Sequence, residues 1–411
     1  MNPLNKKKAL LLVSGILVAY FFQGVIHNVG HPVTPDFVKG LEFPDQMFGY
    51  FFAAMNLGLV LGSPLFGYLG DKHNRKFYVV FGMFMYGVFQ AAFGLITFSP
   101  YLMILFRFGS GFFVSAPATI ILAEVIGRVD GKMRITVLSA MVAINTLGAS
   151  IGYQLGGWIG TILNDQAIVF VLQAISNTIF TLAILLFIKF RKQTKQGTDM
   201  KKKYRFEGIK QIKFLDRKLV IFMILLMFIN IAFINVSKYL DVFIVNDLGY
   251  TSSQLGTFVM VTGIVAMITN LFIVPILVRA NKNAGFIKTM IVVGAISLGA
   301  TFLIRQTWIM YSLYSVFLVY VMTRSVITPL EQSHIAGFAK EENYGTIMGF
   351  RQIFISIANI VGPIMGGYLY ATDRYLVFWV SVVILFVAYF ILELTSRWNS
   401  KHLKATTPKL I

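Results

Sequence analysis

The feature that most constrains this chain is the length of its apolar runs. Stretches of roughly 20 apolar residues, each able to cross a bilayer core of about 30 Å as a helix, recur from one end to the other. In lipid, only a helix or a closed barrel satisfies every backbone hydrogen bond internally, and these runs have the helix length. They place spans at about 9–29, 46–69, 77–98, 100–126, 134–161 and 167–188, then 219–245, 252–278, 286–304, 308–336, 345–370 and 375–395. The expectation is an all-α membrane protein with twelve transmembrane helices in two six-helix bundles. The bundles would cover 1–188 and 219–411, joined by a basic linker over 189–218. Only 13% of the residues are charged, where a soluble domain carries about a quarter. The basic then apolar N-terminus resembles a signal peptide, but no small-residue cleavage site follows, so it reads as an uncleaved first span.

Two function classes fall away early. There is no cysteine, which excludes disulfides, thiolate catalysis and cysteine-held metal. The net charge of +19 could point to nucleic acid, but its distribution gives a different meaning. With the N-terminus inside, all but three of the Lys and Arg residues outside the spans fall on the inner side. Only Lys39, Arg305 and Arg374 lie outside. The positive-inside rule then puts both termini in the cytoplasm, and the 189–218 run reads as a solvated linker near anionic headgroups. Nucleic acid is not an expected partner; the lipid bilayer is.

The halves echo each other. Gly152-Tyr153-Gln154-Leu155-Gly156-Gly157-Trp158 in span 5 matches Gly362-Pro363-Ile364-Met365-Gly366-Gly367-Tyr368 in span 11, about half a chain later. Glu124 and Glu331 sit at similar depths in spans 4 and 10. Parallel repeats of this kind suit a transporter whose site lies between its halves. Gly148, Gly152, Gly156 and Gly160 form a stripe along span 5, open to two readings: tight helix packing, or a sliding contact between the halves.

Ionisable groups inside a span are expensive and mark function or pairing. Here they include Arg107, Glu124, Lys238, Asp241, Arg324, Glu331 and Arg351. Lys238 with Asp241, and Glu331 with Arg351, read either as static ion pairs or as working groups; Arg107 and Arg324 have no obvious acid nearby. Softer polar groups are Gln23 and His27 in span 1, Asn56 in span 2, Asn145 and Gln154 in span 5, and Asn230 and Asn235 in span 7. With Lys238, Asp241 and Arg324 they are candidates for a partly polar cavity walled by Phe, Tyr and Met, which would suit a small amphipathic substrate. His27 and His31 are four apart at the outer end of span 1, read as interfacial or as pH-sensing. The histidines are too scattered for a metal site. No Walker loop or His-Glu-x-x-His is present, so neither ATP nor another cofactor is expected and an enzyme is not. Gly148-Ala149-Ser150-Ile151-Gly152 matches a hydrolase elbow only by chance, since it lies inside a span.

Between spans 2 and 3 lies the charged hinge Gly67-Tyr68-Leu69-Gly70-Asp71-Lys72-His73-Asn74-Arg75-Lys76. It resembles the signature of the major facilitator superfamily, Gly-x-Leu-x-Asp-x-x-Gly-Arg-Lys, at Gly67, Leu69, Asp71, Arg75 and Lys76. Asn74 replaces the glycine, and Asn tolerates the left-handed conformation such a turn would need. Arg107 and Gly111 match the span 4 signature Arg-x-x-x-Gly. Pro32-Val33-Thr34-Pro35 resembles the Pro-x-x-Pro of drug exporters. The antiporter signature Gly-x-x-x-Gly-Pro-x-x-Gly-Gly is met at Gly148, Gly152, Gly156 and Gly157, but Tyr153 replaces its proline. Span 11 keeps Gly362-Pro363-x-x-Gly366-Gly367. The corresponding hinge of the second half, around Pro275–Arg279, lacks the acid.

The resemblance implies the major facilitator fold and drug:proton antiport in a bacterial inner membrane, and a monomer is the expected working unit. It implies that Asp71 and Arg75, with Gly67 and Lys76, gate the cytoplasmic side and that Arg107 tunes a proton site. Span 1 lacks the acid often found there, which leaves Glu124 and Glu331 as proton-coupling candidates by depth. A lipid or glycolipid flippase of the same fold, and a non-transporting scaffold or sensor, are the alternatives.

Overall fold

A computed structural model describes residues 3–126, 131–187, 217–280, 284–304, 308–336 and 344–406. The described residues are helical almost throughout. In order they form α1 (Pro3–Asn28), the short α2 (Thr34–Gly40), α3 (Gln46–Lys72), α4 (Arg75–Leu95), α5 (Pro100–Ile126), α6 (Gly131–Leu163) and α7 (Gln166–Phe187). Then follow α8 (Arg217–Val242), α9 (Ser252–Ile268), α10 (Val274–Ala280), α11 (Ala284–Leu303), α12 (Ile309–Leu313), α13 (Val316–Ala336), α14 (Tyr344–Thr372) and α15 (Leu376–Thr406). Among the described residues, 10 helical stretches are long and apolar enough to cross a membrane. Two more long helices, α1 and α6, stand where the first and fifth spans were expected. The linker over 189–216 lies outside the described residues.

Local departures from regular helix fall at span ends and breaks. α8 finishes in a π-helical turn over Phe243–Asp247, and a second, Thr269–Ile273, joins α9 to α10. The span expected at 308–336 is made of α12 and α13, interrupted at Tyr314 and Ser315.

By close packing, the chain falls into two compact units. The first is Met1–Gln196 with Lys238–Met267 and Pro363–Ala371; the second is Gly197–Ser237, Ile268–Gly362 and Thr372–Ile411.

Within the first unit, glycines bring helix backbones into contact. A side chain at Gly148, Gly152 or Gly156 would run into the backbone of Phe21, Val25 or Val29, and one at Gly160 into Val33. Both series step by four, so the stripe of α6 lies along α1 and the turn after it. Gly157, on the next face, meets the Ser252 carbonyl at the start of α9, and Gly256 of α9 meets Tyr153. Gly49 of α3 meets the Pro363 carbonyl, and Gly367 lies against Gln46. Gly366 is buried. The same end of the unit is tied by polar contacts. The Tyr239 hydroxyl donates to the Pro363 carbonyl at 2.6 Å, Tyr50 and Tyr368 share a hydroxyl hydrogen bond at 2.6 Å, Tyr370 donates to Asp247, and Lys39 donates to the Asn246 carbonyl.

In the second unit, Gly362 packs on Ile234, and ionic contacts among the described residues include Lys288–Glu393 at 2.9 Å and Arg351–Glu331.

Candidate functional site

The hinge between α3 and α4 is an ionic cluster. Arg75 donates to Glu124 Oε2 at 2.8 Å, to Asp71 Oδ1 at 3.0 Å and to the Gly70 carbonyl at 3.2 Å. Glu124 is 1% exposed and Asp71 56%, so the stronger partner is the buried one. Asp71 and Arg75 are an i,i+4 pair on the surface, of a kind worth under about 1 kcal/mol. Asn74 does not take the left-handed conformation expected for it. It is extended, at φ −66° and ψ 104°, and its side chain accepts the Lys76 amide at 3.0 Å as the N-cap of α4. Gly67 has ordinary room for a Cβ, 3.4 Å from Thr119, whereas Gly70 is pressed to 2.8 Å by Ile120. The side chain of Arg279, in the second-half counterpart, lies outside the described residues.

A second site lies nearer the other end of the first unit and is built on Arg107. Gly111 lets the backbone of α5 touch α3 at the Met55 carbonyl, which fixes α5 in place. Four residues earlier, Arg107 is 3% exposed and donates to Gln90 Oε1 at 3.2 Å and to Thr34 Oγ1 at 3.4 Å. Its guanidinium lies 3.8 Å from the centre of the Phe93 ring. Thr34, from the Pro-x-x-Pro turn, donates in turn to the Gly30 carbonyl. Gln90 also accepts from Ser110 and donates to the Tyr86 hydroxyl and to Gln173. Gln173 donates to the carbonyls of Ile26 and His27. Among the described residues no acid pairs with Arg107; neutral oxygens and an aromatic face hold the cation.

The network continues through rings. His27 stacks on Tyr86 at 5.2 Å and lies 5.9 Å from His31. His31 is sandwiched between Phe52, at 5.8 Å, and Tyr153, at 5.6 Å, with interplanar angles of 18° and 15°. The Tyr153 hydroxyl donates to Asp241 Oδ2 at 3.3 Å, and the Lys238 ammonium lies 4.2 Å from the centre of the Phe52 ring. The expected Lys238–Asp241 ion pair is therefore not formed: Asp241 has no salt bridge among the described residues and is held by a neutral hydroxyl. The histidines are half-buried, and each has a buried Nδ1 without a hydrogen bond among the described residues. Among the described residues nothing hydrogen-bonds to either amide atom of the buried Gln154 or to the buried Oε1 of Gln23.

The other candidates divide. Asn56 donates to the Phe52 carbonyl and Asn230 to Leu226, each one turn back in its own helix. Asn145 lies against Gly24 of α1. Asn235, in the second unit, is fully buried, and its amide has no hydrogen bond among the described residues. Arg324 lies 5.5 Å from the centre of the Phe233 ring. Glu331 faces Arg351 through both of its oxygens. Tyr86, Gln90, Gln173, Thr34 and Ser110 were not singled out from sequence. For four of them the signal there is a polar side chain inside an apolar run, and for Thr34 it is the Pro-x-x-Pro motif that contains it.

The profile of the Major Facilitator Superfamily matches residues 16–330 and 285–410. The chain belongs to the Major Facilitator Superfamily. It is a multi-pass membrane transporter. It is similar to Multidrug resistance protein 1 of Bacillus subtilis (strain 168), with 24% identity over 97% of this chain and 98% of that protein. It is likewise similar to Multidrug resistance protein 2 of the same organism, with 25% identity over the same shares of each. The quinolone resistance protein NorA of Staphylococcus aureus (strain COL) is 22% identical over 89% of this chain and 90% of its own. Solved facilitators share the fold. A bacterial homologue of the human lysosomal transporter Spinster superposes with a TM-score of 0.78 at 12% identity, covering 97% of this chain and 98% of that one. A D-xylose-proton symporter gives 0.69 at 17% identity, covering 93% and 96%.

Proposed function

We propose that this facilitator exports small amphipathic compounds in exchange for protons, in a bacterial cell membrane with both termini cytoplasmic. Two six-helix bundles, 1–188 and 219–411, would alternate access to a site between them. The observation that carries the reading is likeness along nearly the full length to two multidrug resistance proteins. The buried polar cluster supports it. Among the described residues Arg107 is a buried cation without a carboxylate partner, wired by neutral hydrogen bonds toward His27, and such a charge answers to nearby changes of charge. The Asp71–Arg75–Glu124 cluster would act as the latch that forms and breaks during the cycle.

Everted membrane vesicles from a host lacking its own exporters test this. Energised vesicles carrying the protein should accumulate ethidium, and a protonophore should release it. Vesicles that leave ethidium unmoved, with the protein shown to be folded, would remove the export reading. Fluorescent lipid moved across the bilayer in its place would favour the flippase.

A further inference from the structure

We propose that Asp241 is the residue that takes up and releases the coupled proton, and that Tyr153 positions it. The inference rests on proton-driven export as proposed above and names the group responsible.

Three carboxylates are buried in the described spans: Glu124, Asp241 and Glu331. A proton carrier must exist in both protonation states within the membrane. Glu124 is bound to Arg75, and Glu331 is gripped by Arg351 through both oxygens. Protonating either one abandons an ion pair and leaves an arginine partly buried without its partner, a loss that runs to several kcal/mol. Asp241 is different. It is 6% exposed, and its hydrogen bond comes from the neutral hydroxyl of Tyr153. Protonating it removes a buried charge and breaks no salt bridge among the described residues, and Lys238, the cation near it on the same helix, keeps its place over the Phe52 ring. The proton adds to the carboxyl oxygen that Tyr153 does not hold, coming from water on one side and returning to water on the other. Tyr153 keeps its own proton throughout.

Tyr153 is the residue that breaks the antiporter pattern, where a proline is expected. A proline could neither donate to Asp241 nor stack on His31; tyrosine does both. The departure in sequence is thus the device that builds the site. The charged and titratable groups around Asp241 are Lys238 on its own helix, Tyr153 on α6, and His31 and His27 at the end of α1 and just beyond. Arg107 on α5 is reached through Tyr86 and Gln90. The two histidines provide the route by which a charge change at Asp241 reaches Arg107.

The test uses the purified full chain in liposomes with ethidium as the probe, in two modes. Counterflow, with ethidium on both sides and no pH gradient, needs no net proton movement. Gradient-driven transport does. Asp241→Asn should lose gradient-driven transport by roughly tenfold or more beyond whatever it loses in counterflow, within the usual span of coupling between sites. Asp241→Glu should recover part of the driven rate. Tyr153→Phe should retain both modes and move the pH of half-maximal driven transport up by about half a unit to one unit, since the charged carboxylate loses a donor that stabilises it. A purely structural tyrosine would change rate without moving the profile.

Asp241→Asn driven as fast as wild type would overturn the proposal. So would loss of counterflow in Asp241→Asn together with an inactive Asp241→Glu, which would make Asp241 a structural or substrate-binding group. Wild type that moves no ethidium in either mode would instead defeat the export reading.

Discussion

The hinge and the polar cluster of the first unit each bury one carboxylate. At the hinge, Glu124 meets the guanidinium of Arg75 at 2.8 Å, and Asp71 adds an exposed second acid. In the cluster, Asp241 meets a tyrosine hydroxyl, while the buried cation Arg107 is held by amide and hydroxyl oxygens and a ring. The hinge has its charges matched, so its function is to be made or broken as a whole. The cluster has them separated and linked through neutral groups, so one proton can change its state without dismantling it. The difference lies in where the partners are, since both regions draw on the same residue types.

The largest effect should come from attacking the matched pair. Glu124→Gln should lower stability in detergent by an amount at the low end of about 3–5 kcal/mol, because Arg75 retains Asp71 and stays partly exposed. In the same thermal unfolding assay Asp241→Asn should cost less than about 1 kcal/mol, having lost no ion pair. Equal losses would erase the distinction between the two sites.

Next in size is the seam that supports the cluster. Gly156→Leu should cost roughly 1–3 kcal/mol by forcing α6 off the Val29 backbone, and should reduce expression. Gly67→Ala, where a Cβ has ordinary room, should be close to neutral in the same measurement.

Arg107→Lys comes third. A single ammonium cannot span Gln90 and Thr34 as the guanidinium does, so the loss should be about 1 kcal/mol in stability, with slower gradient-driven ethidium transport. Smallest in stability is Asp71→Asn. An exposed i,i+4 pair should be worth under about 0.5 kcal/mol on unfolding, while ethidium turnover falls if the latch needs the acid. Unchanged turnover would leave Glu124 as the sole partner that matters.

Much of this was legible in the chain. Apolar run length placed the helices, because a bilayer imposes one length on all of them. The four-residue spacing of Gly148 to Gly160 defines one face of α6, but its partner, α1, lies more than 100 residues away and no local spacing names it. Asp71 and Arg75 could be read from the hinge, but Glu124 could not be joined to them, since 49 residues separate it from Arg75. Tyr153 illustrates the limit best. In sequence it is a proline missing from a pattern; in the fold it joins His31 to Asp241. Long-range pairing decides which buried acid is committed to an arginine and which is not, and no local spacing encodes it. Asn74 shows the same limit on a smaller scale: glycine and asparagine share a left-handed tolerance, yet the side chain is used here to cap a helix.

The most direct test of proton-coupled export is to record ethidium and proton movement together, in the same liposomes containing the full chain. Ethidium driven one way should be accompanied by protons moving the other way, with both currents ending when the gradient is collapsed. Ethidium transport at an undiminished rate with no opposing proton flux would contradict it.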